Sequence, residues 1–353
     1  MKVAEAILFR AHHLNPGCFA LVMATGIVSI DVNQHGMHAL ALALFGVNVL
    51  AWLVLLGLTG LRLLRFRREL VADFIHPGRG AGFLTLAAAT CVLGSQCLTV
   101  VYLPVAARVL ALLGALSWAA LIYLFFAAAI TARIKPGFTR SINGGWLVAI
   151  VATQALAVLM VMLEADQPTV SVAWLFGALC LYLLGAALYL LIITLVVYRL
   201  VFFPLRAREF TPPYWIDMGA LAITTLAGSL IVLYTPMNGP LRDLVPFVKG
   251  FTLFFWATAT WWIPLLALLE LWRYAWRHVP LQFEPDDWDI VFPLGMYTVG
   301  TYELARALQL DFLQRIPAIG VYISLLVWAL VASGTVRRWY RGLLADTQRR
   351  PLR

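Results

Sequence analysis

Charge is what this sequence has least of. Asp, Glu, Lys and Arg make up 12% of its 353 residues, where a soluble domain carries about 25%. Hydrophobic residues make up 62%, and the mean hydropathy is +0.87. One water-soluble core cannot absorb so much apolar surface, because soluble folds split into domains rather than enlarge a single core. A soluble enzyme, a disordered chain and a disulfide scaffold are thereby excluded. Cysteine is scarce too. Cys18, Cys91, Cys97 and Cys180 lie in apolar runs without a C-x-x-C or a Cys/His spacing, and read as buried structural thiols. The P-loop, H-E-x-x-H, G-x-S-x-G and G-x-G-x-x-G signatures are missing, so no enzyme activity is expected. The six histidines, His12, His13, His35, His38, His76 and His278, fall in loops or at the ends of apolar runs. That argues against buried haem b, which needs histidines within helices. His35 and His38, with Asp31 nearby, read as a solvated loop. No cofactor and no metal site are expected.

Long apolar runs take the place of charge. Ten of them fall near residues 14–31, 39–61, 81–101, 108–132, 143–163, 170–198, 216–235, 249–270, 289–307 and 316–336. Roughly 20 residues of helix cross about 30 Å of hydrocarbon, whereas a transmembrane barrel would show short alternating segments. The expected fold is an all-α polytopic membrane protein with ten transmembrane helices arranged as five hairpins. The ninth run is the weakest, since 290–302 is its only charge-free core. The even runs are uniformly apolar, while the odd ones carry Gly, Pro, Ser and Thr. Helices facing lipid tolerate apolar surface all round, and helices that pack closely or line an aqueous path need small and polar residues. The odd helices are therefore expected inside, around a central pore, and the even helices outside.

Each odd run also holds a threonine near its middle: Thr25, Thr90, Thr153, Thr225 and Thr298. Their spacing of 63 to 73 residues matches one hairpin per repeat. Ser29 and Ser229 follow Thr25 and Thr225 four residues on, on the same helix face. These seven hydroxyl residues are the expected pore lining.

Orientation follows from the basic residues. With ten spans, 21 of the 26 lysines and arginines fall on the side that holds both termini, and five, Arg108, Arg242, Lys249, Arg306 and Arg315, on the other. The positive-inside rule puts both termini in the cytoplasm, with the protein in the plasma (inner) membrane. The net charge of +9 then marks cytoplasmic loops rather than nucleic-acid binding. No small-x-small site follows Ile30, so a cleaved signal peptide is not expected. One transmembrane domain should cover residues 1–340, followed by a short basic cytoplasmic tail over 341–353. Few ionisable groups lie within the runs. Asp217, Glu270 and Asp289 sit at cytoplasmic ends, and Glu303 and Arg306, three apart near the outer end of the ninth, form a candidate pair.

The stretches LNPGCFALVMATGIVSI, HPGRGAGFLTLAAATCVLGSQ and WDIVFPLGMYTVGTY resemble the tellurite-resistance/C4-dicarboxylate transporter family, over roughly residues 12–340. That family includes plant slow-type guard-cell anion channels, yeast malate permeases and fungal sulphite efflux proteins. The resemblance implies ten helices in five hairpins around a central pore, a homotrimer, and a phenylalanine in the ninth helix that plugs the pore. The matching residue is Phe292, followed by Pro293 in the lining. Family substrates range over chloride, nitrate, malate, sulphite and tellurite, so the expected partners are small anions and the lipid bilayer. Two readings stay open. One is a passive anion channel. The other is a proton-coupled dicarboxylate or sulphite carrier with Glu303 as its proton site.

Overall fold

The computed structural model describes residues 3–348, apart from positions 134, 136, 168, 237 and 282. Among the described residues there is no β-strand, and ten helices reach fifteen residues or more. We label these α1 (Ala20–Gln34), α2 (His38–Arg65), α3 (Thr85–Thr99), α4 (Pro104–Thr131), α5 (Val148–Ala165), α6 (Val172–Phe202), α7 (Ile216–Tyr234), α8 (Val245–Leu271), α9 (Trp288–Leu308) and α10 (Arg315–Gln348). α10 continues into the region assigned to the tail, while residues 349–353 of that tail lie outside the described residues.

The helix boundaries follow local chemistry. α1 begins at Ala20 rather than near residue 14, because Asn15–Pro16–Gly17 makes a turn in which Asn15 Oδ1 accepts from Gly17 N at 2.8 Å. α3, α5, α7 and α9 each begin after a 3-10 turn, at Gly80–Leu84, Gly144–Leu147, Pro212–Trp215 and Pro285–Asp287. Glycine and proline supply those turns, and proline at a helix start costs no hydrogen bond. α4 uses the same device with Pro104 as its first residue.

Among the described residues, eight stretches are long and apolar enough to cross a membrane. They include α2 to α8 and α10. α1 has only 15 residues, and α9 carries Asp289, Glu303 and Arg306. Burial divides the eight sharply. The stretches holding α3, α5 and α7 are 78 to 89% buried, and those holding α2, α4, α6, α8 and α10 are 17 to 39% buried. α1 is buried continuously over positions 22–32. α9 buries most of its length as well.

Packing explains the division. α1 packs on α3, α3 on α5, α5 on α7, α7 on α9, and α9 back on α1, which closes a circuit. Each even helix packs on the odd helix before it and on the one after it, with α10 reaching round to α1. Four of these contacts repeat one hydrogen bond. Trp52 on α2 donates its indole N–H to Thr90 at 3.1 Å, Trp118 on α4 to Thr153 at 2.9 Å, Trp256 on α8 to Thr301 at 2.9 Å, and Trp328 on α10 to Thr25 at 3.1 Å. A buried indole needs such a partner, and each bond ties an even helix to the odd helix of the next repeat.

Small residues set the closest approaches. A Cβ built on Gly300 would lie 2.8 Å from the Ala222 carbonyl oxygen, and one on Gly219 would lie 2.7 Å from Pro293 Cγ. Gly57, on the exposed side of α2, has nothing within 4 Å of that position. Gly300→Ala should therefore force α7 and α9 apart at a cost of about 1–3 kcal/mol and lower the thermal midpoint of the detergent-solubilised protein. Gly57→Ala should leave it unchanged or slightly higher. Equal midpoints for the two variants would contradict the close packing of α7 on α9.

Candidate pore

The five odd helices enclose a cavity of about 240 Å³. Each contributes the same pattern. The lining begins at Ile27, Val92, Ala155, Ile223 and Met296, and on every helix includes the residues three and seven positions further on. At about 100° per residue these positions form one stripe along each helix. The lower part of the cavity is apolar. The seventh positions, at its open end, are Gln34, Thr99, Met162, Leu230 and Glu303. Arg306 completes that end. Glu303 is held from two sides: Arg306 Nη1 donates to it at 2.7 Å and Gln34 Nε2 at 2.9 Å.

A second, wider cavity of about 690 Å³ opens at the other face, where the odd helices begin. Thr85, Val148, Ile216 and Asp289 line it, each seven residues before the first lining residue of the inner cavity on its helix. The stripes are therefore continuous between the two cavities, with one layer left between them. That layer, four residues before the inner lining, is Met23, Ala88, Val151, Gly219 and Phe292. None of the five lines either cavity. All are buried, Phe292 at 1% exposure. Phe292 is the one ring in a layer of otherwise smaller or flexible side chains, and the neighbouring Pro293 is packed against Gly219.

The hydroxyl residues singled out in the sequence lie elsewhere. Thr25, Thr90 and Thr153 sit two positions before the lining residues Ile27, Val92 and Ala155, about 200° round the helix. They face the even helices and accept the tryptophan bonds described above. Thr225 donates to Leu221 O at 2.9 Å, Ser229 to Thr225 O at 2.8 Å, Thr298 to Leu294 O at 2.9 Å and Ser29 to Ala41 O at 2.8 Å. Neither these seven residues nor Pro293 lines either cavity. In this structure the hydroxyls close helix contacts, and the lining of the inner cavity is mainly aliphatic. Of the polar residues that do line it, Gln34, Ser95 and Thr99 went unnoticed in the sequence. No sequence pattern marks them, because the matching positions on the other odd helices hold residues as different as Met162, Leu230 and Glu303.

A family model described as a voltage-dependent anion channel matches residues 13–336. The chain belongs to that family. Membership agrees with the tellurite-resistance/C4-dicarboxylate resemblance carried by the three motifs, and makes the chain an integral multi-pass membrane protein. An uncharacterized transporter of Methanocaldococcus jannaschii is 25% identical over 97% of this chain and 98% of its own length. A second uncharacterized transporter of that organism is 22% identical over 92% and 95%. An uncharacterized membrane protein of Mycobacterium tuberculosis is 41% identical over 40% of this chain and 72% of its own length.

In this family member the wide cavity is wired by side chains that come from distant parts of the sequence. Asn15 Nδ2 donates to Asp286 Oδ1 at 2.8 Å while its Oδ1 caps Gly17 N. Asn143 repeats the cap on Gly145 N at 2.9 Å. Arg62 donates to Asp73 Oδ2 at 2.6 Å and to the Leu14 carbonyl at 2.7 Å. Burial raises the Asp286 carboxyl above the usual range, against the lowering effect of the Asn15 bond. Burial also pushes Asp287 up to about 6. Removing a donor from a half-buried carboxyl leaves it poorly solvated, at a cost of about 1 kcal/mol. Asn15→Ala should lower the thermal midpoint by several degrees at neutral pH. The deficit should shrink at acid pH, where Asp286 is protonated and demands less from its donor. A deficit independent of pH would place the effect in the turn alone.

Proposed function

We propose that the chain is an anion channel whose ten long helices span the plasma (inner) membrane as five hairpins, odd helices inside and even helices outside. In this reading both termini and the wide cavity are cytoplasmic, the copies assemble as a homotrimer, and Phe292 closes the lumen. The observation that carries it is the Phe292 layer, the interruption between two cavities that share four helix stripes, those of α3, α5, α7 and α9. An aromatic ring across a narrow apolar lumen blocks both by its volume and by excluding water. Rotating or removing that one side chain would join the cavities.

The electrostatics support anions. The odd helices begin at the wide cavity, so their positive dipole ends converge on it. The inner cavity has one carboxylate, Glu303, and Arg306 neutralises it at 2.7 Å. An inner cavity without net charge, reached past helix N-termini, favours small anions over cations and separates them weakly by hydration. One observation favours the carrier reading. Glu303 is a largely buried carboxylate in the permeation path, where ionisable groups commonly serve proton coupling.

Liposome flux at matched protein density tests both points. Phe292→Ala should raise anion flux at least several-fold, while Phe176→Ala, an exposed ring on α6, should not. Reversal potentials should follow the anion gradient and ignore the proton gradient, with Glu303→Gln still conducting. Equal flux from wild type and Phe292→Ala would remove the ring from the mechanism. Coupling to the proton gradient, abolished in folded Glu303→Gln, would establish the carrier.

A further inference from the structure

The layer of even helices has a gap in it. α4 and α6 both pack on α5, and a cleft of about 410 Å³ lies between them with α5 as its floor. Small-molecule sites in proteins span about 300–1,000 Å³. The cleft is graded along the helix axes. Arg108, Glu164, Gln167 and Trp174 line it at the face where the odd helices end. Deeper in, the lining is apolar, with Ala111 and Ala115 one turn apart on α4 and Leu156 and Met160 one turn apart on α5. The helical rise from Glu164 back to Leu156 carries that apolar length about 12 Å toward the middle of the membrane. Alanine on the α4 wall leaves the room, since a large side chain at those positions would fill it.

The mouth carries one charge of each sign, and the two are not paired. Among the described residues, neither Arg108 nor Glu164 takes part in an ion pair. Glu164 Oε2 accepts from Ser171 N at 2.8 Å, which leaves Oε1 without a donor. Trp174 is 57% exposed, at the depth where amphipathic rings settle in a bilayer. A water-borne ion would use one of these charges and none of the apolar length. A phospholipid uses both. Its phosphate meets arginine with two oxygens at once. The headgroup must also answer Glu164. A primary ammonium brings positive charge and three N–H donors, whereas the methylated nitrogen of choline has no N–H, and a glycerol headgroup has no positive charge. We infer that the cleft between α4 and α6 is a binding site for one phosphatidylethanolamine molecule, with its phosphate on Arg108, its ammonium on Glu164 and an acyl chain along α5. The site requires only that the chain is a multi-pass membrane protein, and stands whether or not it conducts.

Native mass spectrometry of the delipidated full chain reads the site. Phosphatidylethanolamine, phosphatidylcholine and phosphatidylglycerol with the same acyl chains are added in equal amounts in detergent. Wild type should retain one phosphatidylethanolamine per copy, bound about 5-fold more tightly than either other lipid. Arg108→Gln should weaken that binding about 5-fold. Glu164→Gln keeps an oxygen for the Ser171 N–H, so it should fold normally, yet it should remove the preference for ethanolamine over choline. Ala111→Phe/Ala115→Phe fills the apolar length and should lower retention of all three lipids. Arg242→Gln, on the same face but outside the cleft, should change nothing. Equal retention of the three lipids by wild type would overturn the site. So would a preference for phosphatidylethanolamine that survives in both Arg108→Gln and Glu164→Gln. Leu112 is an exposed residue of the cleft. Dissociation of an oligomer by Leu112→Lys, with no loss of bound lipid, would assign the cleft to a second copy of the chain and overturn the lipid site likewise. Because this readout needs no flux, a protein that retains phosphatidylethanolamine yet passes no anion would refute the channel while leaving the site intact.

Discussion

The closed circuit of α1, α3, α5, α7 and α9 is the constraint on which the rest of the structure depends. A helix that faces hydrocarbon must be apolar on that face and must satisfy its own backbone. A helix shielded on every side is released from the first demand. α1 is thus able to bury Asp31, which accepts from Ser324 Oγ at 2.7 Å. α3 buries Gln96, which accepts from Asn48 at 2.8 Å. α5 buries Gln154, which donates to the Tyr182 carbonyl at 3.0 Å. In each case the partner is on an even helix. Polar ties and the four tryptophan–threonine bonds hold the shielding layer to the helices it shields, and the glycine contacts let the shielded helices approach closely enough to close the circuit.

Much of this was legible in the sequence. Apart from the start of α1 and the end of α10, the ten apolar runs coincide with the ten long helices to within a few residues, and the division between uniformly apolar and Gly/Pro/Thr-bearing runs matches the division in burial. The start of α1 was misjudged because apolar content does not reveal the Asn15 turn. The face of each odd helix was harder to read. A helix buried all round has no hydrophobic contrast between its sides, so periodicity cannot tell lumen from neighbour. Threonine in a membrane helix suggests contact with water, yet in a low-dielectric interior a hydroxyl is as well used bonding an indole or its own helix backbone. Thr298 and Thr301 show the difficulty. The first fitted the repeat and faces α10 at Gly320, while the second, unnoticed, accepts the bond from Trp256.

The lumen that results is graded along its length. The wide cavity combines helix N-termini with the wired Arg62, Arg79, Asp73 and Asp286. An apolar stretch follows, interrupted by the Phe292 layer, and the far end carries Gln34, Ser95, Thr99 and the Glu303–Arg306 pair. Fixed charge is confined to the ends, where water or a counter-charge can compensate it. The middle offers an anion little to bind to, which suits passage better than storage. Phe292 lies in that middle, flanked by Pro293, whose contact with Gly219 anchors the backbone beside the ring.

The central claim is that one lumen runs between both faces and that Phe292 alone separates its halves. Thiol accessibility tests it most directly. In a variant lacking Cys18, Cys91, Cys97 and Cys180, Val299→Cys reports the inner cavity and Asp289→Cys the wide one. With Phe292 in place, a small membrane-impermeant thiol reagent should reach Val299→Cys only from the face where the odd helices end. It should reach Asp289→Cys only from the face where they begin. With Phe292→Ala added, each cysteine should react from both faces. Labelling of Val299→Cys from the wide-cavity face while Phe292 is present, or labelling that stays one-sided once the ring is removed, would contradict the account.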